Sequence, residues 1–137
     1  EDPQALAQGY NILGIFARAE GDPAAAREHL LRSLELAESL PDRSARAAAL
    51  NNLALALVDS GESERAVELV RQALELSESI GDRHRAAALH SNLADVLHRA
   101  GEEEAAQQHL RQSAKLFAEV GVDAGQIEPE IWKLMEW

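Results

Sequence analysis

Residues 51–80, NNLALALVDSGESERAVELVRQALELSESI, run into GDRHRAAALH at 81–90 and then into SNLADVLHRAGEEEAAQQHLRQSAKLFAEV at 91–120. Laid on each other at a shift of 40, the first and last of these stretches place Leu53 over Leu93, Gly61 over Gly101, Ala66 over Ala106 and Leu76 over Leu116. The same shift backward reaches Leu13, Gly21, Ala26 and Leu36, and Leu30, Val70 and Leu110 also coincide. Asp42-Arg43 returns as Asp82-Arg83. One unit is therefore present three times, over about residues 3–42, 43–82 and 83–122.

Within a unit the apolar residues mark two helices. Ala47, Leu50, Leu53, Ala54 and Leu57 fall on one stripe at helical spacing, and Ala66, Leu69, Val70, Ala73, Leu74 and Leu76 follow the same logic after the glycine. Gly21, Gly61 and Gly101 supply the positive φ that lets a helix end and the chain reverse. Asp22-Pro23 reads as an N-cap with proline at the first helical position. Glu62-Ser63-Glu64 and Glu102-Glu103-Glu104 put negative charge at helix starts, where the dipole favours it, and Asp42 and Asp82 are placed to cap the next first helix. Boundaries are expected near Gly21, Asp42, Gly61, Asp82, Gly101 and Gly121, with no strand. A lone helical hairpin cannot bury both apolar faces, so the three must stack. The expected fold is all-α, a right-handed superhelical solenoid of three helix-turn-helix hairpins. Gly14, Ala54 and Ala94, each followed within its unit by Ala26, Ala66 or Ala106, are expected where the two helices of a hairpin come closest.

The 137-residue chain has 13 Lys+Arg against 24 Asp+Glu, a formal net charge of −11. Duplex phosphates and anionic lipid both require a clustered excess of cations, so neither nucleic acid nor a membrane is expected as a partner. No apolar run reaches the roughly 20 residues of a membrane span. Cysteine is absent, which removes disulfides, thiol nucleophiles and thiolate zinc sites and suits the expected cytoplasmic location. Hydrophobic residues make up 46% and aromatics only 4%, so Ala and Leu must fill a core of closely spaced helices. The chain opens on Glu1 rather than on methionine, and a piece of a longer protein is expected.

Little in the sequence supports catalysis. His29, His84, His90, His98 and His109 form no helical zinc-hydrolase pair, and His90, Asp95 and His98 share one helix, from which three ligands cannot surround an ion. There is no Gly-rich phosphate loop and no nucleophile elbow. No enzymatic activity, metal or cofactor is expected.

Leu13-Gly14, Ala26, Leu30 and Ser33, repeated as Leu53-Ala54, Ala66, Val70 and Ala73 and as Leu93-Ala94, Ala106, Leu110 and Ser113, resemble the tetratricopeptide repeat (TPR) over about residues 5–122. The period of 40 exceeds the common one of about 34, and the closing proline is missing. In this the chain is similar to the long-helix subclass of kinesin light chains, the Pins and LGN polarity adaptors, and bacterial signalling ATPases and LuxR-type regulators. The resemblance implies a protein–protein interaction module that binds an extended peptide or partner segment on its concave face, within a larger, bacterial, regulatory or signalling protein. Two alternatives stand beside it. One is a structural spacer or self-association module, and the other is an accessory segment of an ATPase or cyclase whose catalytic domains lie upstream.

In that subclass an asparagine one position before the Leu of the first helix lines the concave surface. Asn52 and Asn92 match that place, and the first copy has Ile12. An asparagine amide both donates and accepts, so it can pair with one peptide unit of a guest whatever the guest's side chains. The alternative is that these amides tie neighbouring helices together. Asn11, Asn51 and Ser91 are expected at the groove edge, with Ile15, Leu55 and Asp95 one turn further along, then Arg18, Val58 and His98, and Arg99 nearby. The Lys and Arg of TPR proteins that grip a C-terminal carboxylate are missing, since Asn11, Ile12, Asn51 and Ser91 hold those places, and chaperone-tail binding is not expected. The net acidity favours a guest with basic residues.

Residues 123–137, DAGQIEPEIWKLMEW, leave the repeat. Pro129 can open a short capping helix with Ile131, Leu134 and Met135 on one face, and Trp132 and Trp137 either cover the last repeat or anchor a partner. This ending is similar to that of bacterial multidomain regulators and cyclase-like ATPases with TPR tails. At the other end Tyr10 and Phe16 have no preceding repeat to cover them, so weak homo-association through the exposed N-terminal end is expected.

Overall fold

The computed structural model describes residues 2–120. Six α-helices follow one another: α1 Pro3–Ala19, α2 Pro23–Glu38, α3 Arg43–Asp59, α4 Ser63–Ser79, α5 Arg83–Arg99 and α6 Glu103–Val120. No strand occurs among the described residues. The capping helix expected over 123–137, with Trp132 and Trp137, lies outside them.

Side-chain caps set most helix starts. Asp2, Asp22, Asp42 and Asp82 accept from the backbone N–H groups of Gln4, Ala25, Ala45 and Arg85 at 3.0, 3.1, 3.2 and 3.0 Å, satisfying donors that have no partner inside the helix. The start of α4 departs from this pattern, because Glu62 makes no cap bond. Its carboxylate instead spans Arg27, on the preceding hairpin, and Arg65. Gly21, Gly61 and Gly101 take positive φ as their place in the repeat predicts, and Gly81 does the same between α4 and α5. The corresponding turn between α2 and α3 passes through Pro41 without any left-handed residue.

The first helix of each hairpin (α1, α3, α5, the A helices) lies against its own second helix (α2, α4, α6, the B helices), and α2 on α3 and α4 on α5 join the hairpins into one stack. Ala26, Ala54, Ala66, Ala94 and Ala106 are all fully buried, as the repeat requires of its small positions. Gly14 shows why: a Cβ there would lie 2.4 Å from Leu30 Cγ, so the closest approach in the first hairpin is onto Leu30. Ser33 and Ser113 donate to the carbonyls of Ala7 and Ala87 at 2.7 and 2.8 Å, tying B helix to A helix in the first and third hairpins. Repeat two has Ala73 at that place and does without the bond.

The α1 end of the stack is open. Phe16 is 62% exposed and Leu13 49%, whereas their equivalents Ala56 and Leu53, and Val96 and Leu93, are buried under the preceding B helix. Tyr10 is better covered than the sequence suggests. It stacks on His29 with ring centroids 6.2 Å apart, and the Arg32 guanidinium lies 5.7 Å from its ring centre.

Candidate functional site

The A helices share one polar stripe. On α1 it runs through Gln4, Gln8, Asn11, Ile15 and Arg18, at alternating steps of four and three residues that keep one helix face. On α3 its equivalents are Ser44, Ala48, Asn51, Leu55 and Val58. Successive A helices are joined by side-chain hydrogen bonds between residues 41 positions apart. Asn52 Nδ2 donates to Asn11 Oδ1 at 2.9 Å, and Asn92 Nδ2 donates to Asn51 Oδ1 at 3.1 Å. Arg18 Nε donates to Asp59 Oδ2 at 2.6 Å, and Arg85 donates to the Ser44 carbonyl at 3.4 Å. The asparagines therefore tie the A helices together across both seams.

These bonds use only part of each amide. An asparagine has two N–H donors and an oxygen with two lone pairs. Asn52 and Asn92 each give one N–H to the neighbouring hairpin and keep another donor and the carbonyl; Asn11 retains both donors. All of Asn11, Asn51, Asn52 and Asn92 are half-buried, so a chain lying along the stripe can reach them. Beside the first seam Gln4, Gln8, Asn11, Ser44, Ala48 and Arg85 border a groove of about 270 Å³.

The remaining expected site residues divide. Ile15 is 47% exposed and Leu55 is half-buried, both on the stripe, while Val58 leans against the core. Arg18 is drawn to Asp59, and His98 Nδ1 pairs with Glu103 at the start of α6. Asp95 is half-buried and Arg99 exposed. Gln4, Gln8, Ser44 and Arg85 were not among the residues expected from sequence. Extending the Asn11, Ile15, Arg18 spacing back by two turns finds Gln4 and Gln8; Arg85 lies off that stripe and only the packing reveals it.

A second polar pair lies partly buried in the last hairpin. His90 Nδ1 and His109 Nδ1 are 2.9 Å apart with their rings stacked, so one imidazole donates there and the other accepts. Burial lowers the pKa of both below the usual histidine value, and for His109 the neighbouring His90 and Arg71 push the same way. Among the described residues no group of three or more His, Asp or Glu could hold a metal ion, and no helix is long and apolar enough to cross a membrane.

The tetratricopeptide repeat family model matches residues 5–79 and 64–119. Among solved structures, the TPR domain of Arabidopsis FLU is similar at a TM-score of 0.77 and 20% identity, over 89% of this chain and 100% of that one. The nearly identical TPR-like repeats assigned to a kinesin light chain of Podosopora anserina give 0.79 at 22% identity, over 92% of this chain and 62% of theirs. The apo form of RapI gives 0.83 at 22% identity, over 88% of this chain and 44% of its own. These likenesses are of fold. No curated protein matches this chain. Three capped hairpins on a 40-residue period, matched by the family model along nearly all of their length, place the chain in the tetratricopeptide repeat family, a scaffold for protein–protein interaction.

Proposed function

We propose that this chain binds an extended segment of a protein partner along the concave face of its A helices, as a non-catalytic module of a larger regulatory protein. The observation that carries the reading is the asparagine ladder across both seams. Each amide is fixed by one bond that uses only part of its donor and acceptor capacity, so a guest backbone would meet groups that are already oriented. Leu55 and Ile15 would receive apolar side chains of the guest. Asp95, with the His98–Glu103 pair beside it, favours a basic residue there, while the Arg18 charge is largely answered by Asp59.

The test is calorimetric titration of a peptide selected on this chain from a random display library. Replacing Asn52→Ala with Asn92→Ala should weaken binding by about 1–3 kcal/mol for each guest peptide group left desolvated and unpaired. Equal affinity, with helicity unchanged, would overturn the reading. Self-association is a second reading, favoured by the open α1 end, where Ile12, Leu13 and Phe16 are all about half exposed or more.

A further inference from the structure

In the third hairpin His84, at the start of α5, and Phe117, near the end of α6, meet edge to face with ring centroids 5.9 Å apart, and Phe117 is half-buried. The repeat puts Ser44 and Ser77 at these places in the second hairpin, and Gln4 and Ala37 in the first. Hairpin one therefore carries no ring there, and Gln4 and Ala37 border the groove of about 270 Å³ at the first seam. Its apolar wall is made of Ala37 and Leu40 with Ala45 and Ala48 of α3, and Gln4 and Gln8 of α1 bring their amides to the polar side. The charged residues that border it are Asp42 and Arg85, one of each sign, and both are engaged. Asp42 accepts from the Ala45 N–H, and Arg85 reaches the Ser44 carbonyl. The groove thus carries no net charge.

We propose that this groove is the anchoring pocket of the concave face and that it takes a tyrosine side chain of the guest, which supplies from outside the ring that Phe117 supplies in hairpin three. The inference rests on the concave-face reading above and adds which guest side chain is held. A volume just below the roughly 300–1,000 Å³ of small-molecule sites suits one ring and not a whole cofactor. The paired charges of opposite sign give no preference for an acid or a base, so a neutral side chain is favoured. Gln4 and Gln8 each carry donors and an acceptor, which a phenol hydroxyl meets as acceptor and donor while its ring lies on the alanine wall. A leucine would cover the same wall without those bonds. The groove is also continuous with the asparagine ladder, because Asn11, the partner of Asn52, borders it.

The probe is N-acetyltyrosinamide, followed by proton–nitrogen correlation spectra of the whole chain. Saturable shifts should appear at Gln4, Gln8, Asn11, Ala45 and Ala48 at millimolar concentration, and N-acetylleucinamide should bind at least about fivefold more weakly. Gln4→His with Ala37→Phe copies the aromatic pair of hairpin three into hairpin one and should lower the affinity for tyrosine amide about tenfold or more, because the pocket is then filled. If that change disturbs the fold, Ala48→Leu fills the opposite wall from a half-buried position and should weaken binding likewise. Asn52→Ala with Asn92→Ala should leave the affinity for tyrosine amide within about twofold, so a failure of the pocket and a failure of the ladder are read separately. No saturable shift in wild type, or equal affinity for leucine amide, would overturn the proposal. Shifts confined to the open α1 face at Leu13 and Phe16, or binding unchanged in both filled variants, would do so as well.

Discussion

Gly9 and Gly14 sit on the same helix, and no local rule separates them. A Cβ at Gly9 would meet nothing within 4 Å, while one at Gly14 would lie 2.4 and 2.5 Å from Leu30 Cγ and Cδ2, on a side chain that is fully buried. Alanine in place of glycine favours a helix by roughly 1 kcal/mol, so Gly9→Ala should stabilise the chain by about 0.5–1 kcal/mol. At Gly14 overpacking of about 1–3 kcal/mol opposes that gain, and Gly14→Ala should be net destabilising by about 1–2 kcal/mol. Urea unfolding of the two variants decides it; two shifts of the same sign would remove the clash from the account. That Gly14 is a small position was legible from its alignment with Ala54 and Ala94. The partner of Asn52 was not. Sequence periodicity marks equivalent residues 40 apart, whereas the A helices touch through residues 41 apart, an offset fixed by how the hairpins stack and not by the repeat. Arg18 was hidden for the same reason. It reads as an available groove cation until the stacking brings Asp59 to it.

The slot between the two helices of each hairpin is filled differently in each copy. It holds Tyr10 and His29 in the first, Leu50 and Leu69 in the second, and His90 and His109 in the third. Only the third is a directly bonded histidine pair, and it joins α5 to α6. Burial lowers both pKa values, and for His109 the neighbouring His90 and the Arg71 cation of α4 push the same way. In the unfolded chain both histidines titrate near 6.5. Below about pH 6.5 the unfolded state therefore holds protons that the folded state refuses, and stability must fall as the pH drops until the lowered folded values are passed. His90→Leu with His109→Leu, which reproduces the pair of the second hairpin, should remove this component. Carboxylates elsewhere titrate equally in both proteins, so the difference between their thermal midpoints across about pH 5 to pH 8 isolates the pair. Parallel curves would show that the pair does not resist protonation. At this scale the sequence was most legible, because Asp caps and helix-ending glycines announce most of the boundaries. Glu62 misleads only in part: it stands at the start of α4, but its carboxylate reaches Arg27 and Arg65 instead of the backbone.

For the whole molecule, the stack is built of interfaces that each cover one A helix with the preceding B helix, and α1 alone among the A helices lacks that cover among the described residues. Leu13 and Phe16 expose the surface that Leu53 and Ala56, and Leu93 and Val96, bury. Association through this end should therefore depend on those two side chains. Leu13→Gln with Phe16→Ser should change folding stability by no more than about 0.5 kcal/mol, since both side chains are at the surface. Sedimentation equilibrium should show the wild-type mass rising with concentration and the variant remaining monomeric. The net charge supplies a second readout of the same interface. Two copies at −11 repel each other, while the α1 stripe from Pro3 to Ala17 contains no charged residue to attract a partner. Added salt screens the repulsion and leaves the apolar contact intact, so association should strengthen as ionic strength rises. An interface held by ion pairs would respond in the opposite direction. A wild-type mass that stays monomeric at every concentration and salt would show that the open face of α1 does not bind a second copy.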